Sequence, residues 1–197
     1  MAPRPPQRSS RPGGAGALLF SALRLGYNLA MWYGSVVSLH IAPEAGAPPA
    51  TVADVRAMAG RGLEGDRYFT GRGHYSGTPS SGGREVTLIE MEAVEALLEG
   101  LADATGEGAR PKLTAADTRR NIATRGVPLN HLVNRTFRVG DVVLRGTRLC
   151  EPCRYLDGLT RAGVMALLVH RGGLRAQIVT SGTIRVGDSI QPAEETS

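Results

Sequence analysis

The sequence of 197 residues predicts a β-dominated α+β fold with a few short helices. Glycine and proline are abundant, 26 and 12 residues, which favours turns and short strands over long helices. Apolar residues alternate in several short runs, the period of half-buried strands. Arg-Val-Gly-Asp occurs twice, at 138–141 and 185–188, and each copy sets Gly-Asp between apolar strand residues, as a tight turn bringing one short strand onto another does.

Taken in order, "YGSVVSLHIA" alternates Val37, Leu39 and Ile41 against Val36, Ser38 and His40, a strand. After a Pro and Ala loop at 42–50, "TVADVRAMAG" predicts a short helix, with Thr51 as N-cap, Asp54 three residues later, Val52, Val55 and Ala59 on one face, and Gly60 as a stop. "GLEGDRYFTGRGHYSGTPSSGGR" is a long loop holding Gly71, Gly73, Gly77, Gly82 and Gly83, and loops of that length tend to be functional or mobile. "REVTLIEMEAVEALLEGLA" starts as a strand through Val86 and Leu88, then changes period so that Met91, Val94, Leu97, Leu98 and Leu101 share a helical face. A short strand is expected at 120–124. Thr160 caps a helix that turns Val164, Leu167 and Leu168 inward and ends at Gly172-Gly173, before a strand in "LRAQIV". No β-α-β rhythm runs through the chain, and neither a Walker sequence nor G-x-G-x-x-G is present, so a doubly wound nucleotide fold is not expected.

This length suits one domain, placed at 31–191 between an N-terminal extension, 1–30, and a tail, 192–197. "MAPRPPQRSSRPGGAG" is predicted to be disordered. The following "ALLFSALRLGYNLAMWYG" is apolar but interrupted by Arg24 and Asn28, too short and polar for a membrane span, and it lacks an A-x-A cleavage site. Met31 is read as the natural start. A cytoplasmic, reducing location follows, in which a structural disulfide would be unusual. Of the 23 Lys and Arg, four precede Glu44, leaving 19 against 18 Asp and Glu in the body. That near-neutral body does not suit nucleic acid.

The only two cysteines, Cys150 and Cys153, lie in "TRLCEPCRYLDG". A structural zinc centre needs four ligands, and the four histidines show no paired spacing to complete the set. A thioredoxin-like pair would open a helix after a strand, whereas Pro152 and "RYLDGL" read as loop. An inert buried pair is the plainest alternative. Against it, Arg148 and Arg154 flank the pair, and positive charge favours the nucleophilic, metal-binding thiolate, the form a thiophilic metal selects. Arginines also gather in Gly-rich contexts: Arg67, Arg84, Arg119 and Arg120 with Asn121, Arg125, Arg171 and Arg175. Forked guanidinium groups suit phosphate or carboxylate, so an anionic small molecule is expected.

"GLEGDRY", "REVTLIE", "RRNIATRGVPLNHLVNRTFRVGD", "CEPCRYLD" and "RGGLRAQIVTSGTIRVGDSI" together resemble the MOSC domain, the molybdenum cofactor sulfurase C-terminal domain, in its small stand-alone bacterial form, over roughly 31–191. The resemblance implies a β-barrel-like fold that binds the molybdenum cofactor, with Cys153 as metal ligand and catalytic residue and Cys150 as an auxiliary or packing thiol. It implies Arg120 and Asn121 as pterin or phosphate contacts, with Arg67, Arg84 and Arg175 behind them. The implied activity is reduction of N-hydroxylated substrates with electrons from a separate reductase. The alternative is a sulfur carrier, with Cys153 loaded as a persulfide by a cysteine desulfurase. The resemblance covers a single domain, so the additional N-terminal β-barrel that accompanies it in mitochondrial reductases is not expected here.

Overall fold

The computed structural model describes residues 32–78, 84–105 and 113–193. The predicted disordered arm, most of the tail and Gly82 and Gly83 of the long loop lie outside these residues. The strands are β1 (Gly34–Ile41), β2 (Ala50–Val52), β3 (Asp54–Met58), β4 (Gly62–Leu63), β5 (Val86–Glu90), β6 (Ile122–Arg125), β7 (Thr136–Val139), β8 (Val142–Leu149), β9 (Leu174–Ile178), β10 (Gly182–Arg185) and β11 (Ser189–Pro192). The helices are α1 (Met91–Thr105), α2 (Arg154–Leu159) and α3 (Val164–Leu167).

Seven strands close a barrel: β11, β7, β8, β9, β5, β6 and β1 pair in that order, and β1 pairs again with β11. The interior is filled by inward side chains, among them Leu39, Leu88, Ile122, Phe137, Leu144, Leu174 and Ile190, all fully buried. Each such side chain contributes on the order of 1.5–3 kcal/mol. A second apolar cluster lies outside the wall, where Val94, Leu97 and Leu101 of α1 meet Ile89, Ala123, Leu156, Val164 and Leu168. β5 is therefore buried on both faces, and Val86, Thr87, Leu88 and Ile89 are all shielded from solvent. Helix α1 carries the chain from β5 to β6, which pair in parallel. A small sheet of β10, β3 and β4 flanks the barrel.

Several expectations need correction. The segment 51–59 is not a helix but β2 and β3, because Val55 and Ala57 alternate inward and β3 finds partners in β10 and β4. In β1 a bulge between Val36 and Ser38 shifts the register, so Val36 and Leu39 are buried and Val37 is exposed. The helix expected from Thr160 starts only at Val164, and "RYLDGL" is helix α2 rather than loop. The first Gly-Asp turn joins the β7–β8 hairpin as predicted. The second hands the chain from β10 in the small sheet to β11 in the barrel, so it joins strands that do not pair. Among the described residues no helix is long and apolar enough to cross a membrane.

Gly173, at φ +98°, is a position glycine alone suits: a Cβ there would collide with the Leu88 carbonyl oxygen of the neighbouring strand. Gly173→Ala is expected to cost about 3 kcal/mol or more, read as a Tm lower by roughly 6–12 °C in a thermal unfolding scan. A second prediction concerns His40, buried in β1 with its Nδ1 against the Arg120 carbonyl oxygen at 3.1 Å. Burial, partly opposed by that contact, holds its pKa below the ordinary 6.5. The unfolded chain therefore takes up a proton that the folded chain refuses, and stability falls as pH drops below that value by up to about 1.4 kcal/mol per pH unit. The urea midpoint is expected to fall between pH 7.5 and 5.5, and to fall less in His40→Gln.

Candidate functional site

Two alternations set the floor of the site. In β5, Val86 and Leu88 point into the barrel and Thr87 points out; in β9, Leu174 and Ala176 point in and Arg175 points out. Thr87 and Arg175 are cross-strand partners. Over them opens a cleft of about 580 Å³, counting its mouth, walled by the cysteine loop, the start of α2 and the loop at 64–78.

The cysteine loop leaves β8 at Leu149 and is pinned at once, the Cys150 N–H donating to the Gly173 carbonyl oxygen at 2.7 Å. Cys150 is 2 % exposed and Cys153 half-buried; both are free thiols and both line the cleft. Cys153 is the extended N-cap residue of α2, with no hydrogen bond from its side chain to the helix. A helix thus does follow the pair, but it starts beyond the second cysteine, so the pair does not open it as a thioredoxin-like pair would. The Tyr75 hydroxyl donates to Cys153 Sγ at 3.8 Å. That hydrogen bond, followed by burial, raises the Tyr75 pKa above its ordinary 10 and keeps the phenol protonated.

The arginines divide into those spent on structure and those left open. Arg120 lines the cleft, but its Nε and both terminal nitrogens donate to the carbonyl oxygens of Gly172, Thr118 and Cys150 at 2.7–2.8 Å. It holds the cysteine loop against the Gly172-Gly173 turn. Arg67 pairs with Asp66 at 3.1 Å and donates to the Arg119 carbonyl oxygen. Asn121 is buried between strands, bonded to Thr87, the His40 carbonyl oxygen and Asp66, and is not part of the cleft lining. Arg84 braces the loop through the carbonyl oxygens of Tyr75 and Thr78. Arg125 pairs with Glu95 on the surface, and Arg171 is exposed.

Arg119 and Arg175 remain. Nη1 of Arg119 donates to the Ala47 carbonyl oxygen at 2.6 Å, whereas its Nη2 is buried without a partner among the described residues. Burial, then the neighbouring Arg67 cation, lowers the Arg119 pKa, the condition of a charge that lacks a counter-ion. Arg175 meets no acceptor among the described residues. Arg119 stood in the sequence cluster without being singled out; its distinction comes from a left-handed backbone, φ 62°, closing a 3-10 turn, which sends it and Arg120 different ways.

The sequence reading missed the aromatic residues altogether. Tyr68, His74, Tyr75 and Tyr155 line the cleft, the first three from the Gly-rich loop. His74 stacks on Tyr155 with centroids 4.1 Å apart and planes at 13°, and meets Tyr75 edge-on at 4.6 Å. Gly73 lets Tyr68 lie against the backbone, since a Cβ there would come within 2.6 Å of its ring. The available signal was the concentration of tyrosine and histidine in one glycine-rich stretch.

Among the described residues no three His, Cys, Asp or Glu side chains converge to hold a metal ion. A thiol, an orphaned guanidinium N–H and a second open guanidinium fit a group that brings most of its own metal ligands and carries negative charge. The MOSC domain profile matches residues 70–191, more than half of the chain. A comparison with curated proteins gives no match. Among solved structures the chain is similar to the YuaD protein from Bacillus subtilis, at TM-score 0.63 and 17 % identity, over 82 % of this chain and 97 % of that one. It is also similar to YiiM from Geobacillus stearothermophilus, TM-score 0.58, 12 % identity, over 82 % and 75 %, and to YiiM from Escherichia coli, TM-score 0.56, 17 % identity, over 85 % and 72 %. At these identities the structural likeness speaks for the fold, and together with the matching profile it leads to one conclusion: the chain belongs to the MOSC domain family.

Proposed function

We propose that this protein binds the molybdenum cofactor and reduces N-hydroxylated substrates, with Cys153 as the protein's ligand to the metal. The observation that carries the reading is the pairing of a half-buried Cys153 with an Arg119 nitrogen that is buried with no acceptor among the described residues, both residues lining one cleft. Arg119 and Arg175 would hold the cofactor's anionic groups. Arg67, Arg84, Arg120 and Asn121 would act by holding the loops that present them, through the contacts described above. When bound, the cofactor would supply the two-electron chemistry. In balance, the N–O bond breaks, two electrons come from a separate reductase, and two protons complete an amine and a water. The Tyr75 hydroxyl keeps a proton beside Cys153 Sγ and orients the thiol.

Molybdenum and pterin content, measured on protein from a cofactor-producing host, test this reading. Wild type is expected to carry both in amounts equal to the chain; Cys153→Ser is expected to lose the metal, and Arg119→Ala to hold the cofactor roughly tenfold more weakly. Their absence from wild type would overturn the reading.

A second reading, sulfur carriage, is favoured by the free, half-buried Cys153 that caps nothing on its helix. It predicts a cyanide-removable gain of one sulfur on Cys153, seen by mass spectrometry after incubation with a cysteine desulfurase.

A further inference from the structure

Strands β7, β8 and β9 contain no Asp or Glu, and their outward positions collect arginine. On β7, Phe137 and Val139 are buried and Arg138 points out; on β8, Leu144 is buried and Arg145 points out, opposite Gln177 of β9. Further along, β8 bulges between Gly146 and Arg148. Strict alternation would send Arg148 inward with Leu144 and Gly146. The extra residue turns it out, directly opposite Arg175 in the floor of the cleft. Like charges at facing positions destabilise a sheet. This pair has no relief, since Arg138, Arg145, Arg148 and Arg175 meet no acceptor among the described residues. At the ends of β8, Asp141 stands in the hairpin turn and Glu151 is held by His170.

We infer that this row is the docking face for an acidic protein, the electron donor that the reductase reading requires; the inference rests on that reading. The row leads from the open barrel wall to Arg175 in the cleft, so a partner seated on it stands at the cleft's mouth. Arginines spread over three neighbouring strands, about 10 Å across, make a small, charge-rich patch. Such patches suit partners that arrive fast and leave again. Nucleic acid is the poorer occupant. No aromatic side chain points outward from these strands for a base to stack on, and the body of the chain is near neutral.

Docking is read on the metal-free full chain, apart from the reaction. The probes are flavodoxin, an acidic electron-carrying flavoprotein, cytochrome c as a basic electron carrier, and a short DNA duplex, each titrated into isotope-labelled protein and followed by NMR. Flavodoxin is expected to shift the backbone amides of β7, β8 and β9, and to bind about tenfold more weakly when salt rises from about 50 to about 300 mM. Cytochrome c is expected to leave those amides unmoved. Arg138→Glu combined with Arg145→Glu is expected to weaken flavodoxin binding about tenfold, whereas Arg56→Glu, a charge reversal on the small sheet, is expected to leave it within about twofold. The wild-type shifts and their salt dependence do not depend on the variants folding. No shift with flavodoxin, shifts confined to other elements, a double variant that binds as wild type does, or a duplex bound more tightly than flavodoxin would overturn the inference. Failure of the reductase reading would show separately, as wild-type protein from a cofactor-producing host without molybdenum, whatever flavodoxin does.

Discussion

The Asp66 carboxylate is 1 % exposed and accepts from four donors: the Ala42 and Tyr68 N–H groups, Arg67, and the Asn121 side-chain amide, at 3.1–3.3 Å. Through them it joins the loop after β4 to the end of β1 and the start of β6. Asn121 carries the connection on to Thr87, in the floor of the cleft. Hydrogen bonds to a buried charge contribute about 1.5–3 kcal/mol each, and stripping partners from such a charge costs several kcal/mol. The loop bearing Tyr68, His74 and Tyr75 is therefore anchored by a polar network, since it contributes little to either apolar cluster.

The same economy governs the guanidinium groups. Four of them around one cleft would repel strongly, and the fold relieves part of this by giving Arg67 a carboxylate and Arg120 three carbonyl oxygens. What remains is concentrated on Arg119 and Arg175 in partly desolvated surroundings, where a charge interacts more strongly than it would in water. Arg125 with Glu95 shows the contrast, an exposed pair of the kind that contributes little. Around the cleft, charge is thus sorted by position: paired or hydrogen-bonded on Arg67 and Arg120, left more open on Arg119 and Arg175.

Much of the barrel was legible in the sequence because the period changes are abrupt. Val86 and Leu88 alternate, Met91 to Leu101 follow a helical stripe, and the first Gly-Asp turn marks a hairpin. The segment 51–59 was ambiguous for a physical reason: Val52, Val55 and Ala59 fit a helix while Val55 and Ala57 fit a strand, and only the distant partner β10 decides. Cys153 was legible through its neighbour cysteine and the family motifs. The division of labour between Arg119 and Arg120 was not, because it depends on one backbone torsion at the end of a short 3-10 turn. Nor was the stacking of His74 on Tyr155, which joins a glycine-rich loop to a helix about eighty positions downstream.

Barrel closure has a kinetic side. The seam between β1 and β11 consists of the pairs Gly34 with Ile190 and Ser35 with Ser189, so residues near opposite ends of the described chain must meet before the wall is continuous. Such non-local pairing is entropically costly to initiate and slows folding, whereas the β7–β8 hairpin and the α1 crossover draw on nearer contacts. A short seam of this kind is also the natural place for the native protein to breathe. Its opening would free β1 from one neighbour while β6 still holds the other side, leaving a partly open sheet with the cleft's floor of β5 and β9 still paired.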